Sequence, residues 1–203
     1  MPTLETNGIK LYYETHGKGD PLVLISGLGY GLWQWHRMVP LLAKHFKVVV
    51  FDNRGAGQSD KPAGPYTAGM LATDTAGLIE HLGYTQAAVM GHSMGGFIAQ
   101  QLALSRPDLV GKLILASTNF GGPNSVPVTP EALAVMMNRT GDPVEVVKRG
   151  VSVATAPGFI EARPDLLQAL VDYRLTNPVP PAAYQAQMAI GLGLLQPAAA
   201  FEG

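Results

Sequence analysis

The sequence predicts an α/β fold, a mostly parallel sheet with flanking helices, followed by a helical segment. Three observations carry this reading. First, four short apolar runs recur before residue 122: LVLI (22–25), VVVF (48–51), AAVM (87–90) and LILA (113–116), each followed by a glycine-bearing loop. Uninterrupted runs of this length suit strands buried on both faces. Second, stretches with helical spacing lie between them, and alternation of the two patterns implies parallel strands joined by right-handed crossovers. Third, beyond Gly122 the strand runs stop and helix-start signals replace them.

Taken in order, residues 9–15 (IKLYYET) alternate loosely and are rich in aromatic side chains, as in a strand. Asn7-Gly8 before them reads as a hairpin turn from a short first strand. Around residues 35–46 the spacing is helical, and Pro40 sets the regular start near Met38 or Val39. Leu71, Thr75, Leu78, Ile79 and Leu82 share one helix face, with Gly83 as a stop. Phe97, Ile98, Gln101 and Leu102 repeat the spacing, and Pro107 follows. Thr129-Pro130 and Asp142-Pro143 each read as a cap followed by proline at the first helical position. Glu145, three residues after Asp142, completes a box-like pattern. Leu166, Leu167, Leu170, Val171 and Leu175 mark a further helix, and residues 184–190 another. The expected organisation is a core over 1–122, a helical insertion over 123–195, and a short tail over 196–203.

Composition narrows the function. The 203 residues are 47% hydrophobic and 14% charged, with a net charge of −1. The chain is long enough for one domain, with or without an insertion. Near-neutral charge without a Lys/Arg run argues against a nucleic-acid surface. The absence of cysteine removes disulfides, thiolate metal sites and cysteine nucleophiles. Neither a secretory leader nor an apolar stretch of about 18 residues is visible. The expectation is a cytoplasmic protein acting on small molecules, without nucleic acid or membrane as partner, without metal or other cofactor, and of open oligomeric state.

Function concentrates in MGHSMGG (90–96). Gly91, Ser93 and Gly95 follow an apolar strand and precede a helical pattern, the arrangement of a nucleophile elbow. Ser93 sits on a sharp, strained turn, where side chains at positions 91 and 95 would meet neighbouring backbone. Gly96 permits close packing. The next helix presents free N–H groups that favour developing negative charge, and the N–H of Met94 is one candidate oxyanion donor. After LVLI comes Ser26-Gly27-Leu28-Gly29, a glycine-rich loop whose Leu28 N–H is the second candidate. The segment DNRGAGQSD (52–60) reads as structural, with Asp52 and Arg54 pinning a loop by charged hydrogen bonds. Gly55-Ala56-Gly57 lacks the third glycine and helix start of a dinucleotide site.

GHSMGG, SGLG and FDNRGAGQSDKP, in this order and spacing, resemble the α/β-hydrolase fold family. The resemblance covers the chain to about Gly122, and more loosely the helical part as a cap. YYETHGKGDPLVLISGLGY and FDNRGAGQSDKP look most like the enol-lactonase and carboxylesterase group. The dehalogenase and epoxide-hydrolase branches carry aspartate where this chain has Ser93. The resemblance implies Ser93 as nucleophile of acyl transfer from a small-molecule ester or lactone, with the Leu28 and Met94 amides as oxyanion hole. Ser26-Gly27 stands where many members have His-Gly.

The family order is serine, then acid, then histidine. The five histidines are His16, His36, His45, His81 and His92, and none follows Ser93. His92 is expected to point away from the Ser93 hydroxyl, and His36 to lie near the oxyanion loop. Asp142, Asp165 and Asp172 fall in the helical insertion, in capping or solvated roles. The last two strands of the family pattern are also unaccounted for, which leaves LILA as an exposed edge. Three arrangements stay open: the front part of a longer hydrolase, a chain completed by a second chain, or a short protein that has lost catalysis. The first is the main expectation. The isolated chain is then an esterase-like or lactonase-like hydrolase with little turnover; the alternative is a non-catalytic small-molecule binder on the same fold.

Overall fold

The structure is a computed structural model that describes residues 2–122 and 124–194. Six strands form one open sheet in the order β1-β2-β4-β3-β5-β6: β1 Thr3–Thr6, β2 Ile9–His16, β3 Pro21–Ile25, β4 Lys47–Phe51, β5 Ala87–His92 and β6 Val110–Ala116. Strands β1 and β2 are antiparallel, as are β2 and β4; β4, β3, β5 and β6 run parallel. The hairpin turn is Asn7-Gly8, with φ of 47° and 73°, the positive values that a two-residue type I′ turn demands.

The apolar runs are explained by burial on two sides. Val23, Ile25, Val49, Phe51, Ala87 and Val89 meet helices α2 (Ala68–His81) and α3 (Met94–Ser105) through Leu71, Leu78, Ile79, Ile98 and Leu102. Their strand neighbours Leu22, Leu24, Val48 and Val50 point the other way. They pack on Trp35 from a 3₁₀ turn (Leu32–Trp35) and on Val39 and Leu42 from α1 (Val39–Leu42). The start at Val39 agrees with the Pro40 argument.

Strand β6 differs. It has one strand neighbour, and Leu113, Ile114 and Leu115 are 40–44% exposed. LILA therefore forms the apolar edge expected from the sequence, although its composition reads as buried on both faces.

The chain divides into two compact units, Met1–Ser125 with Val179–Gly203, and Val126–Pro178. The second unit contains α4 (Pro130–Met137), α5 (Pro143–Ala154), α6 (Phe159–Ala162) and α7 (Pro164–Thr176). Its core is Val147, Val151, Leu167 and Val171. Thr129 caps α4 through the Ala132 N–H, and Asp142 caps α5 through the N–H groups of Val144 and Glu145. Half of the expected box is made: the Glu145 carboxylate pairs with Lys148 at 2.9 Å.

The insertion expected over 123–195 is too long at its C-terminal side. Helix α8 (Pro181–Leu194) belongs to the first unit. Ala186 and Ile190 join the core of that unit, and the Ala186 carbonyl accepts from Tyr66 N–H at 3.1 Å. The periodicity marks a helix at this position and carries no information on which unit it packs against. The tail expected over 196–203 lies outside the described residues.

One buried ion pair fastens α2 to the sheet. Arg54 donates Nε to Asp74 Oδ2 at 2.9 Å and Nη2 to Asp74 Oδ1 at 2.7 Å, with a third bond to the Asn7 carbonyl. Asn7 Nδ2 donates to the same carboxylate at 2.8 Å. Removing one partner leaves the other charge buried, so Asp74→Ala should cost about 3 kcal/mol. Urea unfolding will measure it; a loss below about 1 kcal/mol contradicts this role.

Candidate active site

The elbow forms where β5 meets α3. Ser93 takes φ 53° and ψ −120°, with its N–H donating to the Ala116 carbonyl at 3.0 Å. A non-glycine residue in this region is strained by about 1–3 kcal/mol and holds only where its surroundings fix it. Here the glycines permit the turn. A Cβ at Gly91 would meet the Gly95 carbonyl, one at Gly95 would meet the Ile25 carbonyl, and one at Gly96 would meet the Thr118 side chain. The Ser93 hydroxyl makes no capping bond to α3.

The loop after β3 lies against this turn. A Cβ at Gly27 would stand 3.3 Å from Ser93 Cβ and 3.1 Å from His92 Nδ1. The loop turns through Tyr30 N–H to the Gly27 carbonyl at 3.2 Å, with Gly29 at φ 66°, the positive φ that a type II turn places at its third residue. Gly27 N–H donates to Gln34 Oε1 and Gly29 N–H to Gln187 Oε1, both at 2.9 Å. Between them, Leu28 N–H has no protein acceptor among the described hydrogen bonds, nor has Met94 N–H at the head of α3. Ser93 and the two proposed donors thus stand on adjoining segments at the carboxyl ends of β3 and β5. Strand order changes direction at this point, with β4 on one side of β3 and β5 on the other, which is where open α/β sheets hold ligands.

Below the loop, buried polar groups bond to one another, with Asn53 Oδ1 left without a partner among the described residues. Fully buried Ser26 accepts from Trp35 Nε1 at 2.9 Å and donates to the Gly31 carbonyl at 3.1 Å. Its own carbonyl accepts from Asn53 Nδ2 at 2.9 Å. Ser26 therefore spends its hydroxyl on the Trp35 indole and the Gly31 carbonyl, beneath the loop. Asp52 accepts from the Leu32 and Gln58 N–H groups at 2.7 and 2.8 Å. Burial pushes its carboxyl up, against the downward pull of those bonds. The structural reading of DNRGAGQSD fits these bonds, though Arg54 is paired with Asp74 and not with Asp52.

No histidine is hydrogen-bonded to Ser93 among the described residues. His16 Nε2 faces Glu14 at 3.1 Å, His36 Nδ1 faces the Trp33 carbonyl at 2.9 Å, and His81 Nε2 faces the Tyr13 hydroxyl at 3.2 Å. His45 lies in the α1–β4 connection, with its carbonyl behind Gly19. His92 and Trp35 meet at right angles, ring centroids 6.4 Å apart, and the buried His92 Nδ1 has no partner. Burial lowers its pKa below the ordinary imidazole value. His36 is exposed and lines a 760 Å³ cleft with Glu14, His16, Trp33 and Val50, a cleft whose lining does not include Ser93, Leu28 or Met94. Among the described residues no cluster of His, Cys, Asp or Glu is placed to hold a metal ion, and no helix is long and apolar enough to cross a membrane.

The sequence profile of the alpha/beta hydrolase fold matches residues 20–196. This chain belongs to the α/β-hydrolase fold family. It is 36% identical over 132 residues to a soluble epoxide hydrolase of Corynebacterium sp. strain C12, covering 65% of this chain and 46% of that enzyme. It is 31% identical over 172 residues to 3-oxoadipate enol-lactonase 2 of Acinetobacter baylyi, covering 83% of this chain and 62% of that one. The chain thus spans about half the length of such curated relatives. The crystal structure of the enol-lactonase from Burkholderia xenovorans LB400 superposes with a TM-score of 0.74 at 29% identity, over 92% of this chain and 72% of that one.

Three site-supporting residues escaped the sequence reading. Asp74 is an acidic residue on the buried face of α2, between Leu71 and Leu78. Gln187 is a polar residue inside the apolar stripe of α8. Both are polar residues on apolar faces, a signal that long-range partners await them. Gln34 gave no such signal.

Two measurements follow from this geometry. Gly95→Ala, which drives a methyl against the Ile25 carbonyl, should destabilise the chain by at least about 2 kcal/mol in urea; a neutral effect contradicts the elbow packing. The folded state favours neutral His92, so its stability contribution is intact above about pH 6.5 and is lost as pH falls below it. The fall in Tm between pH 6.5 and 5 should be smaller for His92→Gln; equal falls contradict a buried neutral ring.

Proposed function

We propose that this chain carries the nucleophile and oxyanion hole of a serine hydrolase acting on a small-molecule carboxylic ester or lactone. The observation that carries the reading is Ser93 at φ 53° between Gly91 and Gly95, directly beside the Gly27–Gly29 loop. Ser93 Oγ attacks the carbonyl carbon. The Leu28 and Met94 amides receive the oxyanion, each such donor being worth roughly 3–4 kcal/mol of barrier. The alcohol leaves with a proton (in a lactone it stays tethered), and water then releases the acid from the acyl-serine. No base for the Ser93 proton is identified among the described residues: His16, His36 and His81 are bonded elsewhere. The helical unit is assigned a cap role on the family resemblance alone.

Chemistry favours the ester over the epoxide, despite the likeness to an epoxide hydrolase. Serine attack on an epoxide carbon leaves an alkyl ether, which water does not cleave. Attack on an acyl carbon leaves an ester, which it does.

Alone, the chain should hydrolyse 4-nitrophenyl acetate at the same slow rate as Ser93→Ala. Added imidazole, as an external base, should raise the wild-type rate several-fold above the Ser93→Ala rate at equal imidazole. Equal rates at every imidazole concentration overturn the nucleophile role. Saturable ligand binding that survives Ser93→Ala would then favour a non-catalytic binder. Ester hydrolysis without imidazole, abolished by Ser93→Ala, would overturn the absence of a base.

A further inference from the structure

Gln187 is fully buried, yet it lies near the middle of α8, among Ala183, Ala186 and Ile190. Burying a primary amide is costly unless both ends are bonded. Both are. Oε1 accepts from Gly29 N–H at 2.9 Å, and Nε2 donates to the Arg54 carbonyl at 2.8 Å. The first bond spans 158 residues of sequence and the second 133. The amide therefore ties together two loops that follow different strands, one after β3 and one after β4. Gly29 is also the residue whose positive φ turns the loop, and it directly follows Leu28. A Cβ at Gly55 would approach Gln187 Nε2 at 3.4 Å and the Tyr66 ring at 2.8 Å, so the Arg54 loop is closed tightly around the amide.

We propose that Gln187 is a positioning residue for the oxyanion hole. Resting on the reading of Leu28 and Met94 as oxyanion donors, it acts on one of them through its neighbour. Engaging Gly29 N–H sets the orientation of the Leu28–Gly29 peptide and leaves Leu28 N–H as the loop donor directed to substrate. Without this acceptor, Gly29 N–H seeks water, the turn loosens, and the Leu28 donor loses its fixed direction. Catalytic hydrogen bonds depend on such fixed placement.

The test uses the full chain with two readouts. Amide exchange is followed at Gly29, with Ile79 in α2 as the reference for global opening. The imidazole-assisted, Ser93-dependent hydrolysis of 4-nitrophenyl acetate is followed in parallel. Gln187→Met should speed Gly29 exchange at least tenfold with Ile79 unchanged, and lower the Ser93-dependent rate about tenfold through kcat and not KM. Gln187→Glu should be pH-dependent. A protonated carboxyl can accept from Gly29 N–H and donate to the Arg54 carbonyl, whereas a carboxylate repels that carbonyl. Its Gly29 protection, corrected for intrinsic exchange, should approach wild type near pH 5 and fall by pH 8. This variant carries the exchange test should Gln187→Met not fold.

Unchanged Gly29 exchange overturns the clamp. Freed Gly29 with an unchanged Ser93-dependent rate overturns the positioning role. Equal acceleration at Gly29 and Ile79 reduces Gln187 to general stability and also overturns it. Absence of any Ser93-dependent rate in wild type is the separate failure of the nucleophile reading, and the oxyanion role of Gln187 falls with it.

Discussion

The close approach of the β5–α3 turn to the end of β3 governs the arrangement of this site. Gly95 lies against the Ile25 carbonyl, Gly91 against the Gly95 carbonyl, and Gly27 against Ser93 itself. A side chain at Gly91 or Gly95 would collide with backbone and one at Gly27 would crowd Ser93, and the absence of side chains there allows Ser93 to occupy a backbone conformation that most residues avoid. The strain is supported by the parallel pairing of β3, β5 and β6, including the bond from Ser93 N–H to the end of β6. The elbow is thus a property of the sheet as much as of the motif.

A second layer holds the facing loop. Ser26, Trp35 and Asn53 secure it from below, Gln34 and Gln187 take the N–H groups on either side of Leu28, and Asp52 holds the start of the 3₁₀ turn. These contacts draw on residues from β3 to α8. Buried polar groups cost free energy unless bonded, so these bonds favour one loop geometry among many. An oxyanion hole requires donors already aimed before charge develops, and under the proposed function this network would hold the Leu28 loop in that way.

Much of this was legible in the sequence because the signals are local. The runs at 22–25, 48–51 and 87–90 announce strands sealed on both faces, and the glycines around Ser93 announce the elbow. The positive φ of Asn7 and Gly8 follows from the dipeptide itself. The edge position of β6 was expected only through the family pattern, since its run resembles the central strands. Partners distant in sequence were not legible. Nothing near Arg54 names Asp74 in α2 as its carboxylate, and nothing near residue 187 names Gly29. The return of α8 to the first unit was missed for the same reason: periodicity defines a buried face and leaves its partner undefined.

The most direct measurement is to incubate the chain with an alkyl fluorophosphonate and map the adduct by peptide mass spectrometry. Serine nucleophiles held in an elbow displace fluoride and place the phosphonyl oxygen where an oxyanion sits, while ordinary surface hydroxyls stay unmodified. The account predicts a slow adduct confined to Ser93 among all serines, tyrosines and threonines, and lost in Ser93→Ala. An adduct spread over other hydroxyls, or no adduct at Ser93 after prolonged incubation at alkaline pH, contradicts it.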